Sequence, residues 1–451
     1  MSDKEPMDKP NNGQTVRDIV ELFKDGSSTS EAYVSGCAKL VDETDSELQA
    51  WQHINADQVV ADAKVCDENR RAGRPVGPLL GIPVGIKDIF DTADMPTTYG
   101  SEAFMGNQPE HQSAVVEKLY EAGAVVMGKT VSTEFAFMHP SVTRNPVNKE
   151  FSPGGSSSGS AAAVAAGHVP LAIGSQTNGS TIRPASFCGV YGYKPSEGII
   201  SRRGALETSP TLDQVGLFAR DLGDIALLAD SLAGYDRADS NSYIDTKPSI
   251  LAGYLSEVPV EPNFAWIDMP YADQYSVDVT EGMEELLQVP GVKVDRLPAP
   301  QSFSVLIAAH KVIHEYEIYR ALEEPRLQHA DKLSGTIQAI FAGAAEVTTE
   351  LYEEALEVRQ GAVDWFSQFF LEFDAVITPA ALGEAPVYGE STGSPICCTV
   401  WTLCGLPCLS LPLLQGEQAL PIGVQLVGSL REDDRLLRTA RWLVTHLNQS
   451  E

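Results

Sequence analysis

The sequence predicts an α/β protein built as one large domain, and three observations carry the prediction. Short apolar runs bounded by glycine, proline or polar turns recur at residues 81–88, 169–174, 374–379, 405–412 and 422–428, the length of buried strands. Longer stretches between them repeat apolar residues every three to four positions, the period of a helix with one buried face. The strand candidates come from both ends of the chain, and no internal repeat or low-complexity tract divides it. With 451 residues and 43% hydrophobic side chains, the chain can bury a core of that size.

The elements follow in order. Residues 1–13 are polar, mixed in charge and broken by Pro6 and Pro10, so they read as a loose tail before a domain over 14–451. Val16, Ile19, Val20 and Phe23 have helical spacing, Ser28-Thr-Ser-Glu31 has the form of a capping box, and 56–71 is an amphipathic helix. The apolar run 81–88 delivers Lys87 at a strand end. A helix and a strand over 124–127 follow, with Lys129 as a loop lysine. Gly154, Gly155 and Gly159 give a tight turn into the alanine-rich helix 161–166, then the strand 169–174 and a polar loop, Ser175 to Ser180. A helix over 221–232 comes next. Residues 233–300, acidic and broken by Pro248, Pro259, Pro262, Pro270 and Pro290 among others, suit a peripheral layer with one strand candidate at 250–255. A helix over 302–323 places His310 and His314 one turn apart. The strand 374–379, the pair 405–412 and 422–428, and the amphipathic helix 433–447 complete the chain.

Composition excludes several classes of function. Sixty-two acidic against 32 basic residues leave a net charge of −30, which disfavours nucleic acid and anionic membranes as partners. No window reaches the roughly 18–20 apolar residues of a membrane span, and the N-terminal residues resemble neither a signal nor a transit peptide. A cytoplasmic protein is therefore expected. Seven cysteines, an odd number, suit a reducing compartment. Cys397, Cys398, Cys404 and Cys408 sit among Ile, Val, Leu and Pro, where free cysteine serves as core. His310 and His314 have no motif supplying the third ligand that a catalytic zinc needs, so no metal or cofactor is expected.

The two serine-bearing loops point to chemistry. A helix this poor in bulky side chains packs close to its neighbours, so serines at its first turn can face serines after the next strand. A phosphate-binding loop would need Lys directly after its last glycine, but Ser160 and Ala161 follow Gly159.

These residues closely resemble the amidase signature family. Asn145-Pro-Val-Asn148, Pro153 to Ala163, Gly174-Ser-Gln-Thr-Asn-Gly-Ser-Thr-Ile-Arg-Pro-Ala-Ser-Phe-Cys-Gly189, Gly192-Tyr-Lys-Pro-Ser196 and Gly81-Ile-Pro-Val-Gly-Ile-Lys-Asp88 match its pattern in order and spacing. The likeness covers roughly residues 15 to 445. It implies a mixed central β-sheet covered by helices on both faces, in one domain that keeps Lys87 beside the serine loops. It also implies Ser180 as nucleophile, Ser156 as a bridging serine after a cis peptide bond, and Lys87 as base. A serine hydroxyl needs such a base, and a lysine can serve only where desolvation lowers its pKa from about 10.4 by several units. Backbone N–H groups of Thr177, Asn178, Gly179 and Ser180 would meet the oxyanion, with Ser157 as a hydrogen-bonding support. Gln176, Ile182 and Arg183 resemble the malonamidase branch, where an arginine three residues after the nucleophile meets a substrate carboxylate. Pairing of Arg183 with a neighbouring carboxylate is the other reading. Gly155 and Gln176 join Arg183 as substrate-binding candidates, and Asn178 departs from the small residue usual at its position.

The expected activity is cleavage of a C–N bond in a small-molecule amide through an acyl-enzyme. The alternatives are the glutaminase-type subunit of a tRNA-dependent amidotransferase, a carbamate or urea hydrolase, and a non-catalytic binding protein on the same fold. The sequence leaves room for a homodimer.

Overall fold

A computed structural model describes residues 13–244 and 246–450. Among the described residues, eleven strands form one sheet. In chain order they are β1 (Trp51–Ile54), β2 (Pro83–Lys87), β3 (Val125–Thr130), β4 (Leu171–Gln176), β5 (Tyr191–Lys194), β6 (Gln214–Ala219), β7 (Asn263–Asp268), β8 (Lys293–Pro298), β9 (Ala375–Pro379), β10 (Cys408–Gln415) and β11 (Pro421–Val427). Their spatial order is β1-β3-β2-β4-β6-β5-β10-β11-β9-β7-β8. The neighbours β3, β2 and β4 run parallel, as do β9, β7 and β8, and the remaining pairings are antiparallel. The sheet is mixed, as expected, and strands from both ends of the sequence share it.

Alternation along the strands separates two cores. Phe264 and Trp266 of β7, with Ala375 and Ile377 of β9, join the core that holds Phe23, Val34, Ile225 and Leu437. The intervening Ala265, Ile267 and Val376 join the core of Phe303, Phe366 and Trp401. Successive side chains of a strand point to opposite faces, so helices cover both sides of the sheet.

Most expected elements are present, and the departures have physical reasons. Thr29, not Ser28, caps the second helix, Ser30–Leu48, accepting from the Ala32 amide. Residues 250–255 form the helix Ile250–Leu255 rather than a strand. Its Leu251 amide bonds to Asp230, and a Cβ on Gly253 would lie 2.3 Å from Asp434 on the C-terminal helix Asp433–Ser450. A six-residue apolar run fits either structure, and packing decides it. Region 233–300 instead supplies β7 and β8 at one edge of the sheet. Lys129 is not a loop lysine: it is fully buried on β3, 3.0 Å from the Asp88 carboxylate. Apart from Gly13, the expected tail lies outside the described residues.

The alanine-rich segment is the helix Ser158–Ala165, buried from Ser158 to Val164 and partly exposed at Ala165. A Cβ on Gly159 would come 2.3 Å from Ala50 O and 2.4 Å from Val131 N, backbone atoms that cannot step aside. Gly361, by contrast, is exposed on the helix Thr349–Phe369 with nothing near a new Cβ. Gly159→Ala is therefore expected to lower stability by about 1–3 kcal/mol through overpacking. Gly361→Ala is expected to raise it by roughly 0.5–1 kcal/mol through helix propensity. Urea denaturation of the two variants checks both signs.

Candidate active site

The parallel pairing of β2 with β4, Ile86 opposite Ile173, brings the end of one strand beside the end of the other. Lys87 is the last residue of β2, and Ser175 lies near the end of β4. The helix Ser158–Ala165 runs back along β4: Ser160 Oγ donates to Ile173 O at 2.9 Å, and Ser157 Oγ donates to Ser175 O and accepts from Ser175 N, both at 3.2 Å. That direction sets its N-terminal serines over the strand ends. The peptide bond Gly155–Ser156 is cis.

Lys87 Nζ lies 2.6 Å from Ser156 Oγ and 2.8 Å from Ser175 Oγ, and the lysine has no solvent exposure. Two other lysines are as deeply buried. Lys129 has the Asp88 carboxylate, and Lys194 donates to Gln214 Oε1 at 2.6 Å and Pro195 O at 3.1 Å. Among the described residues, no carboxylate lies within ion-pairing distance of Lys87. Burial holds its amine well below the ordinary lysine range, and the more distant Asp213 carboxylate pulls it back upward.

Ser180 follows β4 by four residues and keeps slight exposure. Its hydroxyl has no hydrogen-bond partner among the described residues. The loop before it is held from several elements. Thr177 Oγ1 donates to Asp213 Oδ1 at 2.5 Å, and the Thr177 carbonyl lies 2.9 Å from His310 Nε2. Thr402 Oγ1 donates to the Asn178 carbonyl at 2.6 Å, and Thr399 Oγ1 donates to Asn178 Oδ1 at 2.9 Å. Thr399 therefore holds the unusual side chain at position 178. The backbone N–H groups of Asn178, Gly179 and Ser180 have no partner among the described residues.

Gln176 is fully buried. Its Oε1 accepts from the amides of Thr181 (2.8 Å) and Ile182 (3.0 Å), and its Nε2 donates to Thr402 Oγ1 (3.0 Å). Its amide group is thus engaged as a brace for the loop rather than turned to a ligand. Arg183 is 1% exposed. Its Nη2 donates to the Gly155 carbonyl at 2.6 Å and to Thr392 Oγ1 at 3.4 Å, while Nε and Nη1 are buried without partners among the described residues. Among the described residues it makes no salt bridge, which removes the carboxylate pairing considered from sequence. Burial pushes the guanidinium down to about 10, so it stays charged at neutral pH.

Sequence reasoning missed Ser175, Asp213, His310, Thr399 and Thr402. Ser175 was within reach, because it opens the polar loop and alternates with Gly174 on a strand. Asp213 came without a motif, and burial raises its carboxyl pKa. Cys397, Cys398, Cys404 and Cys408 are buried free thiols, and burial pushes Cys404 and Cys408 up to about 12. A cavity of about 370 Å³ is lined by Ser175, Thr177, Asp213 and Gln214, so it reaches within one hydroxyl of Lys87. A groove of about 700 Å³ along the helix Ala56–Arg71 includes none of these residues.

The amidase family model matches residues 32–437. The chain is 32% identical to a subunit of the glutamyl-tRNA(Gln) amidotransferase of Synechococcus elongatus over 442 residues, 89% of this chain and 91% of that protein. Among solved structures it is similar to a chain of a vestigial protein complex described as revealing the evolutionary origins of an s-triazine catabolic enzyme. That likeness has a TM-score of 0.90 and 25% identity, covering 96% of this chain and 98% of the other. It is also similar to the native peptide amidase of Stenotrophomonas maltophilia, with a TM-score of 0.81 and 25% identity over 97% of each chain. The family match begins in the second helix and ends in the last, taking in both serine loops and all eleven strands, and the chain belongs to the amidase family.

Proposed function

We propose that the protein is a serine amidohydrolase in which Ser180 attacks the carbonyl of a small amide, with Ser156 relaying the proton to Lys87. The observation that carries this is the unexposed Lys87 amine, 2.6 Å from Ser156 Oγ and without a carboxylate partner. A charged ammonium there would lack a counter-ion, so the neutral amine is favoured, and a neutral amine is a base. The Ser180 proton passes to Ser156 and that of Ser156 to Lys87 as the Ser180 Oγ–carbon bond forms. The resulting oxyanion meets the free amides of residues 178–180. The relay then runs backwards to protonate the nitrogen, the C–N bond breaks, and an acyl-enzyme remains for water to hydrolyse. Catalytic hydrogen bonds often form only once substrate is bound, which accommodates a Ser180 hydroxyl still lacking a partner.

Arg183 suggests the substrate class. A charged, enclosed guanidinium with two unpartnered nitrogens favours a ligand carboxylate, and its contact with Gly155 places it one residue from Ser156. We read the substrate as an amide bearing a carboxylate close to the scissile carbonyl, with Arg183 and Gly155 lining its site.

A second reading draws on the relatives named as glutamyl-tRNA(Gln) amidotransferase subunits, which the chain matches along most of its length. In that reading the same serine chemistry releases ammonia from glutamine beside a second protein chain. Glutamine hydrolysis by the isolated protein, together with a second chain co-purifying from cells, would favour it. A screen over primary amides, anilides, ureas and carbamates separates the remaining substrate classes. A wild type that takes no active-site label would favour a binding protein.

Three outcomes are expected. A fluorophosphonate probe labels the wild type but not Ser180→Ala, and Lys87→Ala labels and turns over about 10²–10⁴-fold more slowly. Labelling that survives Ser180→Ala removes Ser180 as nucleophile. Lys87→Met is expected to melt at a higher temperature than the wild type at pH 7. Burial depresses the folded pKa of Lys87, so between that value and the unfolded one of about 10.4 the unfolded chain binds more protons than the folded chain, and burying the amine opposes folding. The gap in melting temperature should close as pH rises towards 10, and a gap independent of pH contradicts a neutral Lys87. Arg183→Leu is expected to raise KM for a carboxylate-bearing amide by at least tenfold while leaving KM for a neutral amide of the same size nearly unchanged. Equal losses on both would make Arg183 structural.

A further inference from the structure

Three carbonyls of the loop before Ser180 are tied in succession. Thr177 O lies 2.9 Å from His310 Nε2, Asn178 O accepts from Thr402 Oγ1 at 2.6 Å, and Gly179 O accepts from the Arg183 amide at 3.0 Å. In a planar trans peptide the C=O of one residue and the N–H of the next point in opposite directions. Fixing a carbonyl therefore fixes the direction of the following N–H. The three N–H groups so directed, on Asn178, Gly179 and Ser180, are the ones without partners among the described residues.

The third tie is the first turn of the helix Ile182–Cys188 and follows from local backbone. The first two come from elements more than a hundred residues away: His310 from the helix Phe303–Ala321 and Thr402 from the helix Ile396–Leu403. A carbonyl can only accept, so His310 carries its proton on Nε2. Thr402 Oγ1 accepts from Gln176 Nε2 at 3.0 Å as it donates to Asn178 O. Gln176 Oε1 in turn holds the amides of Thr181 and Ile182. The chain from Gln176 through Thr402 to Asn178 has one direction only, because reversing the Thr402 hydroxyl would leave the Asn178 carbonyl without a donor.

We propose that His310 and Thr402 are positioning residues of the oxyanion hole, His310 setting the direction of the Asn178 N–H and Thr402 that of the Gly179 N–H. This rests on the hydrolase reading, since it assumes that an oxyanion forms beside Ser180. Neither side chain is asked to touch substrate or to exchange a proton with it. Burial and the neighbouring His314 lower the His310 pKa to about 3, so His310 remains a neutral donor throughout the working pH range.

The test compares Thr402→Val and His310→Leu, which remove the donors, with Thr402→Ser and His310→Gln, which keep one. Steady-state kinetics use whichever amide the wild type cleaves. Both donor-less variants are expected to lose about a hundredfold in kcat, the scale of losing one aligned oxyanion donor, with KM changed by less than threefold. The conservative variants should recover most of the loss. In His310→Gln the pH dependence of kcat should keep the limb of the wild type, and a vanished limb would make His310 an acid or base and overturn the proposal. An unchanged kcat in Thr402→Val and His310→Leu overturns it, as do parallel losses in kcat, KM and melting temperature that the conservative variants fail to rescue. Hydrogen exchange by mass spectrometry over residues 177–181 decides the matter apart from activity. Faster exchange in both donor-less variants supports the positioning role, and unchanged exchange overturns it. A wild type that hydrolyses nothing and takes no fluorophosphonate label sinks the hydrolase reading instead.

Discussion

The site depends on taking one lysine amine wholly out of water and giving it hydroxyls in place of a carboxylate. Lys87 sits 2.6 Å and 2.8 Å from two serine oxygens without exposure. The contrast with Lys129 on the neighbouring strand shows what is at stake. Lys129 is equally enclosed and burial lowers its pKa too, but Asp88 stands 3.0 Å away and opposes that shift. A carboxylate in that place beside Lys87 would favour the ammonium and weaken the amine as a base. Asp213, whose charge acts on Lys87 from farther off, is turned to other work: its two oxygens accept from Thr177, Thr208 and Ser209.

Sheet topology makes that environment attainable. Because β2 and β4 are parallel neighbours, both chains leave the sheet at the same end, and residues 88 apart in sequence meet as Lys87 and Ser175. The small-residue helix Ser158–Ala165 can lie close enough for Ser157 and Ser160 to reach the β4 backbone, which bulkier side chains would prevent. Desolvation of the lysine is thus a consequence of close packing, and close packing follows from the glycines and alanines of one short segment.

That segment is also why so much was legible in the sequence. Gly154 to Ser160 and Gly174 to Ser180 carry their conformation in local composition, and Lys87 ends an apolar run with Pro83 in it whose simplest reading is a strand. The two loops and the small-residue helix between them followed from these, while the mixed sheet covered on both faces came from the family resemblance. Residues acting at long range were not legible. His310 reads as one face of an ordinary helix, and Thr402 as one of several small polar residues in a cysteine-rich apolar stretch. Nothing in their neighbourhoods announces a carbonyl more than a hundred residues away. Lys129 failed for the same reason, since its character is set by Asp88 on a separate turn. The helix Ile250–Leu255 shows the converse limit: its apolar run was legible, but the surface it packs against, and hence its conformation, was not.

The two buried cations around Ser156 differ in a way that ties mechanism to recognition. A lysine amine can escape the penalty of burial by giving up its proton, and doing so makes it a base. A guanidinium has no such route at neutral pH, so Arg183 remains a fixed positive charge with Nε and Nη1 unpartnered. Such a charge is stabilised when an anion arrives, and the binding energy of that encounter would be available at Gly155, the residue preceding the proposed Ser156 relay. The rest of the molecule works against an anionic ligand. A net charge of −30 repels it at long range, so selection cannot come from steering and must come from contact. Within roughly a Debye length, about 8–10 Å at moderate salt, an enclosed arginine without a protein counter-ion outweighs a diffuse surface field, because low local dielectric strengthens a short interaction far more than a screened one. In the proposed mechanism, the same exclusion of water therefore favours a neutral Lys87, as a base requires, and a charged Arg183, as recognition of a carboxylate requires.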